Sequence, residues 1–289
     1  MYAFYYLIIH LRGDEMAGKE SAAELPAVAK KRTRVIFSHG DKGGVGKSMI
    51  ASAIADYLQS EGEHVAIIEA DTQNPDVARM FENVLPCANI ALDNDTGWME
   101  AMDFVARHQG HTIVISTPGS FGRNSHDHIP HFSRFIESLE IPAEMELWWT
   151  INRFMDSVIL LENAHAKYGK YFKRVRVVRN LVLAGQDGRP EDFIFWNEST
   201  LKPQIEKAGG LSINFPALHI RVTGKLFRPA NYMPFSDAIL AGTSALGNKS
   251  QSSDQEPDAF SASEHFRLKD WFEAVGVCLK PALFPVTGK

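Results

Sequence analysis

A glycine-rich run that carries two lysines stands near the start of the chain, at Lys42-Gly43-Gly44-Val45-Gly46-Lys47-Ser48. Glycines allow the backbone to wrap closely around an anion and to point successive N–H groups at it. A lysine ammonium and a serine hydroxyl at the end of such a turn can contact the terminal phosphates of a nucleotide and a Mg²⁺ ion. The run therefore predicts a phosphate-binding loop, with Lys47 on the β- and γ-phosphates and Ser48 on the metal.

Two regular elements are expected to hold this loop. The apolar run Val35-Ile36-Phe37 precedes it and predicts a strand. After it, Ile50, Ile54 and Leu58 recur every four residues and predict a helix over about 48–60 with one buried stripe. The amino end of this helix carries a partial positive charge, which favours phosphate at the loop.

The alternation of apolar runs and helical patterns continues along the chain. Strands are predicted at 65–68, 112–115, 145–150 and 176–183, and helices at 96–108, 128–139, 156–167, 198–208 and 234–241. Strands that alternate with helices indicate an α/β fold, a doubly wound and mostly parallel sheet with helices on both faces. Residues 184–215 are less regular than the rest.

The composition indicates an ordinary folded protein. Of the 289 residues, 45% are hydrophobic and 22% are charged, which excludes disordered, collagen-like and coiled-coil chains. Because the net charge is −5, nucleic-acid binding would require a local basic patch. Cys87 and Cys278 are too few for a disulfide framework, and no apolar run reaches 18 residues, so we expect a cytoplasmic protein without stable membrane insertion.

Four segments are expected along the chain. They are a leader or mobile arm at 1–32, a nucleotide-binding domain at 33–242, a linker at 243–263 and a C-terminal segment at 264–289. Translation could start at Met1 or at Met16. A helix is predicted over about 264–280, either docked on the body or facing a membrane or a partner.

Asp41 and Lys42 distinguish this loop from the ordinary phosphate-binding loop. Asp41 stands at the position of the leading glycine, and Lys42 adds a lysine before the glycine pair. With this early lysine the loop resembles the deviant Walker A box of the ParA/MinD superfamily, and the resemblance covers about residues 33–242. It implies that ATP and Mg²⁺ bind, that ATP closes a homodimer, and that Lys42 acts catalytically across the interface on the partner's phosphates.

Two later segments resemble the switch regions of the same superfamily. The run Ile67-Ile68-Glu69-Ala70-Asp71-Thr72-Gln73 resembles switch I, which implies that Asp71 orients the attacking water at the metal. The run Ile113-Val114-Ile115-Ser116-Thr117-Pro118-Gly119 resembles the Walker B strand and switch II, but Ser116 stands where the family has an aspartate. A serine brings no charge, so we expect weak Mg²⁺ binding and slow hydrolysis unless Glu69 or Asp71 compensates.

The far end of the chain carries a weaker part of the resemblance. Asn180 ends a predicted strand at the place where the family reads adenine, because a side-chain amide can pair with both a donor and an acceptor. The alternative is an ordinary amide at a strand end. Phe215-Pro216 occupies the place of the residues that close the base pocket in the family.

A basic segment stands apart from the nucleotide motifs. It holds Lys167, Lys170, Lys173, Arg174, Arg176 and Arg179, with no acidic residue between them. This segment could bind DNA without sequence preference, as ParA-type proteins do, or could be a solvated face that compensates a helix dipole.

Two groups of rings have more ordinary interpretations. Trp148, Trp149 and Trp196 are expected in the core or in a pocket wall. His126, His128 and His131 are spaced as metal ligands can be, but without a cysteine or paired acid they favour a surface loop.

Together these patterns predict a slow ATPase switch of the ParA/MinD type that dimerises on ATP and responds to a protein activator. The resemblance suggests a role in plasmid partition, plasmid stability or conjugative DNA transfer. One alternative is a nucleotide-gated binding module with little or no hydrolysis. Another is an ATP-dependent synthetase of the same fold. A reductase-type iron protein is disfavoured, since it needs two cysteines near the dimer axis and Cys278 lies in the tail.

Overall fold

The computed structural model describes residues 32–123, 125–184, 188–228, 231–247 and 259–285. The expected leader arm up to residue 31 and residues 248–258 of the expected linker lie outside them. Within the described residues the strands are β1 Thr33–His39, β2 Val65–Glu69, β3 Cys87–Asn89, β4 Thr112–Ser116, β5 Ala143–Ile151, β6 Arg174–Asn180 and β7 Leu211–Phe215. They form one sheet in the order β3-β2-β4-β1-β5-β6-β7.

Every observed strand pair is parallel. The helices are α1 Lys47–Ser60, α2 Asp76–Phe81, α3 Asp95–Arg107, α4 Ile129–Glu137, α5 Met155–Tyr168, α6 Ile194–Asn197, α7 Leu201–Lys207, α8 Ile220–Leu226, α9 Phe235–Gly247 and α10 Ala262–Leu283. Helices α3 to α7 pack on one face of the sheet, whereas α1, α2, α8, α9 and α10 pack on the other. The predicted doubly wound α/β fold is confirmed.

The sequence missed both edge strands. Strand β3 has three residues and is only partly buried, and β7 exposes Leu211 and Asn214 while it buries Ile213 and Phe215. Neither edge strand shows the continuous apolar run that marks a strand covered on both faces.

Helix α10 packs against the rest of the domain, which is one of the two arrangements predicted for this segment. A capping box between Ser261 and Glu264 begins α10, and Leu268, Trp271 and Val275 are buried in the core beneath α1 and β7. Helix α9 continues to Gly247, past the expected domain end at residue 242. None of the described helices has the length and apolar character needed to cross a membrane.

Candidate functional site

The phosphate-binding loop leaves β1 after His39 and enters α1 at Lys47. Gly44 and Gly46 have φ angles of 74° and 98°, in the left-handed region that glycine adopts without strain. A Cβ atom on Gly46 would also lie 2.3 Å from Nδ2 of Asn180. The turn therefore needs these glycines, and it presents the first N–H groups of α1, which have no acceptor within a helix, to an anion.

A cavity of about 500 Å³ lies against this loop. It is lined by most of the residues that the sequence predicted for phosphate, metal and base, namely Gly43, Gly44, Gly46, Lys47, Ser48, Asp71 and Asn180. Val45 is buried behind the loop and supports it from the core. The loop after β1 and the loop after β2 thus meet at the carboxyl ends of the two parallel strands that flank β4, where doubly wound sheets bind ligands.

Lys47 is a buried cation with acceptors arranged around it. Its side chain is 8% exposed, and Nζ donates a hydrogen bond to the Lys42 carbonyl at 3.0 Å. Burial lowers the pKa of Lys47, and the nearby Asp71 and Asp41 carboxylates partly oppose that shift. The Ser38 hydroxyl donates to the Lys47 carbonyl at 2.9 Å and so fixes the start of α1 on β1. An anion in the cavity would replace solvation that this ammonium lacks.

Glu69 and Asp71 have different surroundings in the structure. Glu69 is fully buried, and its two carboxylate oxygens accept the N–H groups of Asp71 at 3.0 Å and Val77 at 3.1 Å. Burial raises the pKa of Glu69 to about 7. Because both oxygens hold the backbone, Glu69 shapes the loop after β2, and Asp71 is the acid that faces the cavity. Ser116, in register with Glu69 on β4, is buried and uncharged.

The other end of the cavity is apolar, and part of it comes from helices that the motifs did not predict. Its walls are Phe215, Pro216, Leu218, Thr223, Phe227 and Trp271. The Trp271 indole N–H donates to the Pro216 carbonyl at 2.9 Å, which joins α10 to the loop after β7. Phe215 and Pro216 are the residues that the resemblance placed at a base pocket, whereas no local pattern pointed to the cavity residues from α8 and α10.

This chain is similar to several known proteins. The family model ParA, described as NUBPL iron-transfer P-loop NTPase, matches residues 31–99. Two solved structures align at low identity. The MinC:MinD cell division protein complex of Aquifex aeolicus is 14% identical over 78% of this chain and 98% of that chain, with a TM-score of 0.44. A plasmid partition protein of Borrelia burgdorferi is 13% identical over 70% and 96%, with a TM-score of 0.40.

A curated relative decides the family. Protein MobD of Acidithiobacillus ferrooxidans is 33% identical over 189 residues, which cover 65% of this chain and 79% of MobD. The chain belongs to the ParA/MinD superfamily of P-loop NTPases.

In this ParA/MinD protein, Lys42 is paired within its own chain. Its ammonium donates to the Asp156 carboxylate at the start of α5, and Nζ lies 5.7 Å from the ring centre of Phe154. The Lys42 hydrogen bond lowers the pKa of Asp156. The two side chains are 37% and 54% exposed, and such exposed pairs contribute only about 0–1 kcal/mol. Lys42 can therefore exchange this partner for another anion at little cost.

Asn180 supports the loop of this ParA/MinD chain. Its Nδ2 donates to the Val45 carbonyl at 2.8 Å, and its Oδ1 accepts the Val182 N–H at 3.3 Å. The residue is 4% exposed and lines the cavity. The NH2 group and the oxygen of its side-chain amide are both hydrogen-bonded to the backbone. A contact between Asn180 and adenine stays a prediction.

The basic segment is a smaller surface than its composition suggested. Arg176 is 1% exposed, and its guanidinium donates to the carbonyls of Gly209 at 2.8 Å and Ala282 at 3.3 Å. Its expected role on a DNA surface is wrong, because the side chain lies between β7 and α10 and cannot reach a phosphate. Alternation along β6 places Arg176 on the same face as Val178, and α10 covers that face.

The other two arginines of the segment also have protein partners. Arg174 contacts Glu146 at 3.2 Å and Glu144 at 3.5 Å, and Arg179 donates to the Asn197 side chain at 3.0 Å. The exposed cations that remain are Lys167, Lys170 and Lys173.

The three tryptophans lie in the core, and the three histidines lie at the start of α4. Trp148, Trp149 and Trp196 are buried, as expected for core rings. His128 stacks on Trp98 and contacts Asp95 at 3.2 Å. In the described part of the chain, no group of three metal-ligating side chains gathers at these histidines or elsewhere.

Proposed function

We propose that this protein is a Mg²⁺-dependent ATPase switch that forms a homodimer when ATP is bound. The observation that carries the proposal is the cavity beside the phosphate-binding loop, where Lys47, Ser48 and Asp71 converge from two neighbouring loops. Its volume of about 500 Å³ lies within the range of small-molecule and cofactor sites. Its polar end suits phosphates, and its apolar end suits a planar base.

The side chains present fit a hydrated Mg²⁺ ion. Mg²⁺ binds proteins through one or two oxygen ligands and keeps several waters, and the Ser48 hydroxyl and Asp71 carboxylate supply such oxygens. Ser48 and Asp71 would hold the ion, which would supply positive charge against the negative charge that develops during phosphoryl transfer. The Ser116 hydroxyl adds no charge, so we expect weak metal binding.

The chain's own groups supply the remaining chemistry. Water attacks the γ-phosphorus, the bond to the β-phosphate oxygen breaks, and ADP and inorganic phosphate leave. The loop N–H groups and the Lys47 ammonium stabilise negative charge on the transferring phosphoryl group, and Asp71 orients the water.

Dimerisation is supported by the surroundings of Lys42. This lysine is held by an exposed ion pair and by the Phe154 ring, and Phe154 and Met155 are themselves 52% and 56% exposed. Apolar side chains around a labile cation fit a face that a second copy covers once two phosphate-loaded sites approach each other. Lys42 would then leave Asp156 for the partner's phosphates and relieve their mutual repulsion.

Three measurements test this proposal. Phosphate release with ATP should exceed that of a Lys47→Ala protein, and light scattering should find dimers with a slowly hydrolysed ATP analogue and monomers with ADP. A Lys42→Ala protein should stay monomeric with either nucleotide. Absence of adenine nucleotide binding in the presence of Mg²⁺ would refute the whole proposal.

A second candidate is a nucleotide-gated binding module with little turnover. It is favoured by the uncharged Ser116 and by the engagement of both Glu69 oxygens with backbone. ATP-dependent dimers without phosphate release above the Lys47→Ala control would select this candidate.

The finer proposal is a role in plasmid partition, plasmid stability or conjugative DNA transfer, with non-specific DNA and a protein activator as partners. Its support is the relationship to MobD and the exposed lysines of the basic segment. Phosphate release measured with and without DNA tests the DNA part of this role.

A further inference from the structure

The residues that follow β4, termed here the 117–122 segment, lie against the phosphate-binding loop. Gly119 lines the nucleotide cavity, and a Cβ atom on it would be 3.2 Å from the Gly43 nitrogen and 3.3 Å from the Lys42 carbonyl carbon. The segment therefore reaches the polar end of the cavity through its main chain. Two side chains on β1 and at the start of the loop hold it there.

Asp41 holds the far end of the segment. Its side chain is 20% exposed, and Oδ1 accepts the Gly122 N–H at 3.1 Å. A Cβ atom on Gly122 would lie 2.4 Å from Oδ2 of Asp41 and 2.8 Å from its Cγ. Gly122 is not among the residues with positive φ. A side chain at position 122 would therefore have to displace the Asp41 carboxylate, and backbone strain is not the obstacle.

His39 holds the near end of the segment. The Thr117 hydroxyl donates to the Ser38 carbonyl at 2.9 Å, so it accepts a hydrogen bond from Nδ1 of His39 at 2.8 Å. The imidazole lies edge-on to Phe121 of the segment, with ring centres 5.0 Å apart. Burial lowers the pKa of His39 to about 3, with a smaller contribution from the Lys47 charge. The ring is therefore neutral and keeps its proton on Nδ1.

The second ring nitrogen of His39, Nε2, lies near Asp41 but makes no hydrogen bond to it. Nε2 is buried and has no hydrogen-bond partner among the described residues, and it lies 3.7 Å from Oδ1 of Asp41. In this tautomer both atoms are acceptors, so the carboxylate cannot satisfy the ring. An asparagine at position 41 keeps a side-chain oxygen that can accept the Gly122 N–H.

We infer that Asp41 and His39 are positioning residues that fasten the 117–122 segment to the phosphate-binding loop. They hold the Gly119 main chain at the phosphate end of the cavity. Neither side chain needs to touch the nucleotide. The catalytic consequence rests on the proposed function, whereas the fastening itself does not.

The first test compares substitutions at Asp41. Asp41→Ala removes the acceptor for Gly122, so the rate of phosphate release should fall by about tenfold or more, since small misplacements near the reacting atoms are costly. The nucleotide Kd should stay within about threefold, because the loop and Lys47 remain. Asp41→Asn should stay near the wild-type rate. The exposed Asp103→Ala serves as the control and should change neither quantity. An Asp41→Ala protein with the wild-type rate would overturn the catalytic part.

A double-mutant cycle tests the contact itself. Gly122→Ala should slow phosphate release about as much as Asp41→Ala, because its Cβ collides with the carboxylate. In the Asp41→Ala background the same Gly122→Ala change should have little further effect, since the obstructing atoms are gone. Equal effects of Gly122→Ala in both backgrounds would show that Asp41 is not its partner, and would overturn the inference.

Amide hydrogen exchange of the full chain without nucleotide separates this inference from the proposed function. Asp41→Ala should speed exchange in the 117–122 segment and leave β1 and β4 protected, whereas Asp41→Asn and Asp103→Ala should not. Unchanged exchange in the Asp41→Ala protein refutes the fastening even if the wild type hydrolyses ATP. If Asp41→Ala speeds exchange while the wild-type protein releases no phosphate, the fastening is supported and the proposed ATPase activity is refuted.

Discussion

The phosphate-binding loop and the basic segment at 167–179 both concentrate cations in a short stretch of chain, yet the fold uses them differently. In the loop, Lys47 faces a cavity together with the N–H groups of its own turn. In the basic segment, α10 covers Arg176, and β5 places Glu146 opposite Arg174 in register. Consecutive residues in a tight turn make a site by themselves. Cations on a strand form a surface only if the neighbouring strands leave their charge unpaired.

The largest expected effect comes from the loop. Lys47→Ala should weaken binding of ATP with Mg²⁺ by about 10- to 100-fold, as expected for one charged hydrogen-bond donor worth about 1.5–3 kcal/mol. Calorimetric titration measures this, with the exposed Lys207→Ala as control. If Lys47→Ala and Lys207→Ala bind ATP with equal affinity, Lys47 contributes no more to binding than an exposed surface lysine does.

The next effect should come from the buried arginine of the basic segment. Arg176→Ala leaves the carbonyls of Gly209 and Ala282 without their donor and opens a cavity between β7 and α10. We expect a loss of about 2–4 kcal/mol in the free energy of unfolding, measured with urea. Lys173→Ala, on the same segment but exposed, should change stability by less than about 0.5 kcal/mol. Similar losses for both would mean that burial does not separate these cations.

Acid unfolding distinguishes the two regions through His39. The pKa of His39 is about 3 in the folded protein and near 6.5 in the unfolded protein. The unfolded state therefore binds a proton that the folded state does not, and the free energy of unfolding decreases as the pH falls below 6.5. Between pH 6.5 and 5 this amounts to about 2 kcal/mol. His39→Gln should flatten the decline by about one proton, whereas Lys170→Ala in the basic segment should leave the slope unchanged. An unchanged slope in the His39→Gln protein would argue that this ring is accessible to protons.

The smallest effect should come from the exposed lysines. Replacing Lys167, Lys170 and Lys173 with alanine should weaken any binding to non-specific duplex DNA and reduce the salt slope of log K by at most about 3. Filter binding at several salt concentrations measures this, with Lys207→Ala as control. Unchanged affinity in the triple variant would leave the basic segment as a solvated face.

The sequence was most informative where structure is local. The alternation of strands and helices was predictable because the central strands are continuous apolar runs, whereas β3 and β7 at the edges lack that pattern. The loop residues were predictable because they are consecutive. The pairing of Asp41 with Gly122 and the wall formed by Trp271 were not, because each depends on segments that meet only after folding.

Helix α10 has a consequence for how the cavity is made. Trp271 belongs to α10, which is synthesised long after Lys47. A growing chain therefore contains the phosphate-binding loop before the apolar wall of the cavity is complete. Retention of a nucleotide and seating of this last helix should therefore reinforce each other, since a ligand stabilises whichever conformation binds it best. A nucleotide that binds this cavity would therefore help a newly made chain to complete its folding.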